Sequence, residues 1–141
     1  MNKLFINVVL DWGAYMPVKA HEADAGYDIR TPIATVIEPH DSITIDTGVH
    51  IAIPEGYVGM LKSKSGLNVK HGITCDGTID SGYTGSIRVK LYNDSDNEYR
   101  FNVGDKITQI VFIPIPKVEL VKVESLETTE RGDGGFGSSG R

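Results

Sequence analysis

The chain has 141 residues, a formal net charge of −5 and 40% hydrophobic residues, with one cysteine, Cys75. That is the length of a single domain, enough to bury a core without staples. One cysteine excludes an internal disulfide and a cysteine-rich zinc site, and the acidic balance argues against a long nucleic acid, which calls for a basic face.

The N-terminus, MNKLFINVVLDWG, holds a short apolar run ended by Asp11 and no small-residue cleavage site. The expected setting is therefore cytoplasmic, with no membrane partner. Leu4 to Leu10 is predicted as a strand. His21 to Arg30, HEADAGYDIR, begins like H-E-x-x-H but has Ala25 at the fifth position, which excludes that zinc motif. Its remaining acids, Glu22, Asp24 and Asp28, read by themselves as a solvated turn.

Period-2 alternation then predicts strands at Thr35 to Ile37, Ser42 to Asp46, Val49 to Ile53 and Tyr57 to Lys62. The last of these runs into Lys64-Ser65-Gly66. Ser65 to Lys70 is predicted as one short helix, with Ser65 as cap and His71-Gly72 as stop. A lysine, a hydroxyl and a glycine at a helix start suit an anion, although an ordinary loop has the same composition. No G-K-[ST] occurs, so this is not a Walker A loop.

Thr74 to Tyr83 reads TCDGTIDSGY. Asp76-Gly77 predicts a two-residue hairpin turn. Asp80 is a candidate general base and Tyr83 a stacking platform, or the two are a turn acid and a packed aromatic. Cys75, in an apolar-leaning strand, reads as a small buried residue rather than a nucleophile. Ser86 to Asn93 alternates, with Ile87, Val89 and Leu91 on one face and Arg88, Lys90 and Tyr92 on the other. Strands follow at Ile107 to Ile113, where Gln109 interrupts the apolar run, and at Val118 to Val123. A buried Gln109 needs partners, either structural or from a ligand. Apolar Ile110 to Ile115, broken by Pro114, is far too short to span a bilayer. Short alternating strands with turn residues between them indicate an all-β sandwich or barrel.

Composition shifts near Glu127, which divides the chain into a core, 1–126, and a tail, 127–141. The tail ends RGDGGFGSSGR, with five glycines in eleven residues. Gly132, Gly134 and Gly137 satisfy G-x-G-x-x-G, but that motif must open a helix, and the four residues after Gly137 leave no room for one, so this is not a dinucleotide site. Alone, such an end is equally an inert linker. Its backbone N–H groups, hydroxyls and guanidinium suit phosphate, and Phe136 suits a nucleobase.

Together, ADAGYDI at Ala23 to Ile29, Lys64-Ser65-Gly66-Leu67, GTIDSGYTG at Gly77 to Gly85, GDKITQIVF at Gly104 to Phe112 and the RGDGGFGSSG tail resemble, in order, the five motifs of the trimeric dUTPase family. Each motif is weak; five in order along essentially the whole chain are specific. The resemblance implies a jelly-roll-like distorted β-barrel and a homotrimer with the C-terminal arm exchanged between subunits. It also implies Mg²⁺-dependent hydrolysis of dUTP to dUMP and pyrophosphate. Such a reaction limits uracil incorporation into DNA and supplies dUMP for dTMP synthesis.

By the same resemblance, Asp80 activates the water that attacks the α-phosphorus. Tyr83 packs on the deoxyribose and excludes a 2′-hydroxyl. The backbone from Thr74 through Gly77, Thr78 and Ile79 reads uracil, and Phe136 stacks over it. Lys64, Ser65, Gly66, Gln109, Arg131, Gly137, Ser138 and Ser139 hold phosphate, and Asp28 meets Mg²⁺ through water. The eleven-residue tail extends at most about 35–40 Å, enough to close a neighbouring subunit's site. Three departures stand out: Lys64 where the family has Arg, Gly82 where an acid precedes the tyrosine, and a short segment between Lys64 and Asp80. Lysine binds phosphate as a point charge without arginine's fork. The nearest alternative is a dCTP deaminase or bifunctional enzyme of the same fold, against which IDSGY and the tail argue. From another class, the chain could be a non-catalytic regulatory binder.

Overall fold

Alternation of β-branched residues with polar ones forms strands when one face finds a core. β9 (Arg88–Asn93) shows this: Val89, Leu91 and Asn93 are buried, and Arg88, Lys90 and Tyr92 face out. A computed structural model describes residues 3–137 and 140. In chain order the elements are β1 (Asn7–Leu10), β2 (Tyr27–Arg30), β3 (Thr35–Ile37), β4 (Ser42–Asp46), β5 (Val49–Ala52) and β6 (Tyr57–Lys62). They continue with α1 (Ser65–His71), β7 (Ile73–Thr74), β8 (Asp76–Ile79), β9, β10 (Tyr99–Phe101) and β11 (Lys106–Pro114). No helix among the described residues is long and apolar enough to cross a membrane.

The strands form four small antiparallel sheets, ordered β1-β5, β10-β3, β2-β11-β6-β8 and β4-β9-β7. They wrap a jelly-roll-like barrel around Ile29, Ile45, Val89, Phe101, Ile107 and Ile110, all essentially solvent-free. Cys75 belongs to this core, and burial pushes its thiol pKa up, so it is an inert packing residue. Buried Thr47 and Asn93 keep their polar atoms satisfied through the Ile87 and Ile37 carbonyls.

Four local expectations are corrected. Asp76-Gly77 is not a turn but the start of β8, paired with Lys62 and Leu61 of β6. A Cβ at Gly77 would lie 3.1 Å from Leu61 Cδ1, so glycine serves close strand packing there. Thr74 therefore does not share a hairpin with Ile79: it lies on β7, in the other sheet, opposite Tyr92. The N-cap of α1 is Lys64, with extended backbone and no side-chain cap bond, rather than Ser65. The stop is as expected: Gly72 adopts φ 67° and its N–H bonds the Asn68 and Leu67 carbonyls. Val118 to Val123 is no strand in the single chain. From Ile115 onward the described residues carry no regular structure, and Val118, Leu120, Val121 and Val123 are exposed.

Candidate active site

The sheet β2-β11-β6-β8 carries most of the candidate residues. Its register sets Asp28 of β2, Gln109 of β11, Lys62 of β6 and Asp76 of β8 in one row. Asp28 is only 4% exposed, yet charged. Lys64 Nζ donates to one carboxylate oxygen, and Lys106 Nζ lies 3.2 Å from the other. Burial pushes the Asp28 carboxyl up, but the hydrogen bonds and charges of Lys64 and Lys106 outweigh it and hold it below the usual carboxylate range.

Lys106 was not among the expected site residues. It reaches Asp28 because the β2–β11 register shifts between Lys106 and Thr108. Alternation alone carries no signal for such a shift. Gln109 anchors the same corner, donating from Nε2 to the Ser63 carbonyl at 3.1 Å. That bond holds the chain just before Lys64. A Cβ at Gly26 would collide with the Gln109 side chain, which explains the glycine of ADAGYDI. Ser65 and Gly66 follow at the exposed start of α1.

This corner has excess positive charge: two ammonium groups share one carboxylate. Among the described residues no group of three or more His, Cys, Asp or Glu could cage a metal ion. Mg²⁺ takes one or two carboxylates and draws its remaining ligands from phosphates and water. The single carboxylate of Asp28 fits a magnesium that arrives on a triphosphate and is touched through water.

The second group lies at the other end of β8. Thr78, Ile79, Asp80, Tyr83 and Arg88 line one cleft of about 200 Å³. Asp80 is exposed, one residue past the strand. The Tyr83 amide donates to the Asp80 carbonyl at 3.2 Å, and the Tyr83 hydroxyl donates to the Ser86 carbonyl at 2.7 Å. The hydroxyl is thus occupied and the ring is left to offer its face. Arg88 was expected only as the outer face of β9; folding brings it beside Asp80. The outer edge of β8 has no neighbouring strand in its sheet, so its free backbone donors and acceptors are available to a planar partner.

The two groups lie toward opposite edges of the sheet: Asp28 is on β2 at one edge, and Asp80 comes four residues after Asp76, just past the end of β8 at the other. The tail forms a third group. Arg131 Nε donates to the Gly134 carbonyl at 2.6 Å, and Phe136 is fully exposed. Gly137 is exposed beside it. Ser138 and Ser139 lie outside the described residues.

A sequence profile described as dUTPase matches residues 13–140. A deoxyuridine 5'-triphosphate nucleotidohydrolase of Leifsonia xyli subsp. xyli is 44% identical over 129 residues, covering 89% of this chain and 85% of that protein. Among solved structures, the Staphylococcus bacteriophage 80alpha dUTPase with dUPNHPP superposes with a TM-score of 0.92 at 37% identity, covering 99% of this chain and 100% of that one. A dUTPase from phage phi11 of S. aureus, described as revealing coordination of a structural Mg(II) ion, superposes with a TM-score of 0.82 at 33% identity, covering 89% and 100%. On the match along nearly its whole length, the chain belongs to the dUTPase family.

Proposed function

We propose that this chain hydrolyses dUTP to dUMP and pyrophosphate by attack of water on the α-phosphorus, with the substrate carried as its magnesium complex. The observation that carries this is the cleft in which an exposed carboxylate, Asp80, stands beside the Tyr83 ring and the open edge of β8.

Each residue has work suited to its surroundings. Asp80 takes the proton from the attacking water. The Tyr83 ring, held by its hydroxyl, lies against the deoxyribose and leaves no room for a 2′-hydroxyl. The free edge at Gly77, Thr78 and Ile79 bonds the uracil edge. A cytosine there leaves buried groups unpaired, which discriminates by roughly 10⁴-fold or more. Thr74 lies two residues before β8, at the end of β7 in a different sheet. Lys64, Ser65 and Gly66 take phosphate oxygens, and Gln109 holds the turn that presents them. Asp28 pre-positions Lys64 and contacts the metal's waters. Bound magnesium neutralises charge on the phosphates. Phe136 closes over the base, and Arg131, Gly137, Ser138 and Ser139 close over the phosphates, excluding all water but the nucleophile.

The assembly proposed is a homotrimer whose sites are shared between chains. The placement of Asp28 and Asp80 at opposite edges of the sheet supports sharing. So do the exposed apolar side chains of Val118, Leu120, Val121 and Val123, which have no ladder partner among the described residues.

Pyrophosphate release measured across dUTP, dTTP, dCTP and UTP, with and without Mg²⁺, tests the proposal. Turnover is expected for dUTP with magnesium and to be far weaker for the other three. Ammonia release from dCTP would overturn it in favour of deamination, and binding of dUTP without turnover would overturn it in favour of a regulatory binder.

A further inference from the structure

His50 lies on β5 opposite Val9 of β1, and its ring is held at both nitrogens. Nδ1 is 2.7 Å from the Thr84 carbonyl oxygen, and Nε2 is 3.0 Å and 3.1 Å from the two Asp11 carboxylate oxygens. A carbonyl oxygen and an ionised carboxylate accept hydrogen bonds and donate none. Both ring nitrogens must carry a proton to make both bonds, and only imidazolium does. The charged groups facing the ring are Asp11, on the connection after β1, and Asp46, at the end of β4; both are acidic. The neighbours Val9 and Thr84 are uncharged. The Thr84 carbonyl and the Asp11 carboxylate lift the imidazole above its ordinary value of 6.5.

Thr84 directly follows Tyr83 in the turn that begins at Asp80. The other bonds of this turn are local, from the Tyr83 amide to the Asp80 carbonyl and from the Tyr83 hydroxyl to the Ser86 carbonyl. Gly82 adopts φ 87°, and a Cβ there would meet nothing. Among the described residues, the hydrogen bond tying residues 80–85 to a distant part of the chain is the one from His50 to Thr84. Firm anchoring resumes at Ser86, whose Oγ donates to Asp46 and accepts the Gly48 amide at 3.0 Å. His50 thus extends the anchored region two residues toward Tyr83 and Asp80.

We propose that the His50 imidazolium, braced by Asp11, is a positioning residue: it holds the turn that presents Asp80 and Tyr83 and releases it when the ring loses a proton. Its effect on turnover rests on the dUTP hydrolysis proposed above. A neutral ring must surrender either Asp11 or Thr84. The raised value means the grip is complete below 6.5 and is lost as pH rises through the folded value. A displacement of about 1 Å in a catalytic group can lower a rate about 10²-fold.

The test is kcat and KM for dUTP between about pH 5.5 and 9, on wild type, Asp11→Asn and His50→Gln, with the His50 ring followed by NMR. Wild-type kcat is expected to fall as pH rises through the His50 titration. In Asp11→Asn that fall is expected at lower pH, because an opposing charge has gone. His50→Gln is expected to lose about tenfold in kcat at low pH and to lack that limb. Superimposable wild-type and Asp11→Asn profiles, or a His50 ring titrating at or below 6.5, would overturn the proposal. If wild type releases no pyrophosphate, the proposed activity falls and the ring decides the clamp alone. Thr84 and Tyr83 resonances that move with the His50 titration support it, and resonances indifferent to it refute it. If His50→Gln fails to fold, Asp11→Asn supplies the decision.

Discussion

Asp80 and Asp28 are both carboxylates, and their surroundings set them to different tasks. Asp80 is exposed at a strand end, and among the described residues its carboxylate makes no hydrogen bond, which leaves it able to accept a proton. Asp80→Asn is therefore expected to lower kcat by about 10²-fold or more while dUTP binding, read by calorimetry, persists; turnover like wild type would remove Asp80 from the base role. Asp28 is buried and neutralised by Lys64 and Lys106. Its depressed pKa means its stabilisation is full above the ordinary value of 3.8 and is lost as pH falls through the lower folded value. Asp28→Asn is expected to cost about 1–3 kcal/mol at neutral pH, because both lysines keep some access to water. Denaturant midpoints taken from pH 7 down to pH 2 check this: the gap between wild type and variant should close in acid, and a gap that widens contradicts the ion-pair account.

At the scale of elements, legibility in the sequence followed the source of each strand's stability. β3, β4 and β6 were expected at their observed bounds because side-chain alternation alone reports a half-buried face. β2 was missed because Asp28 and Ile29 are both buried, one among lysines and one in the core, which breaks the alternation. β8 was misread as a turn because Asp-Gly composition does not reveal that Leu61 demands a residue without a side chain opposite it. Val118 to Val123 shows the reverse error: its β-branched residues suit a strand, but a ladder needs a second strand, and the described residues provide none. The site's components were legible as motifs, while Lys106 and Arg88 required the register shift and the neighbouring sheet. The tail belongs to this scale too. The hydrogen bonds of its described residues are local, such as Gly132 to Thr129 and Arg131 to Gly134, so it adds little to the barrel's stability. Deletion from Arg131 onward is expected to leave the melting temperature unchanged and to lower kcat/KM about 10²-fold or more. Undiminished activity in the truncated protein would exclude a lid.

At the scale of the molecule, the arrangement of the two halves of the site makes a prediction that one-chain enzymes do not. The Asp80 cleft and the Asp28–Lys64 corner belong to opposite edges of one four-stranded sheet: Asp80 follows β8 at one edge, and Asp28 lies on β2 at the other. In the shared-site arrangement proposed above, a working site takes its base from one copy and its phosphate groups from another, as a closed ring of identical subunits allows. Asp80→Asn and Lys64→Ala protomers, each expected to be severely impaired alone, can be denatured together and refolded in equal amounts. In a mixed assembly, a site that draws Asp80 from a Lys64→Ala protomer and Lys64 from an Asp80→Asn protomer is fully native. Random mixing produces that pairing in about a quarter of sites, so about a quarter of wild-type turnover is expected to return. If both groups acted from the same chain, every site would keep one lesion and mixing would restore nothing. The refolded mixture's turnover, compared with each variant refolded alone, separates the two arrangements.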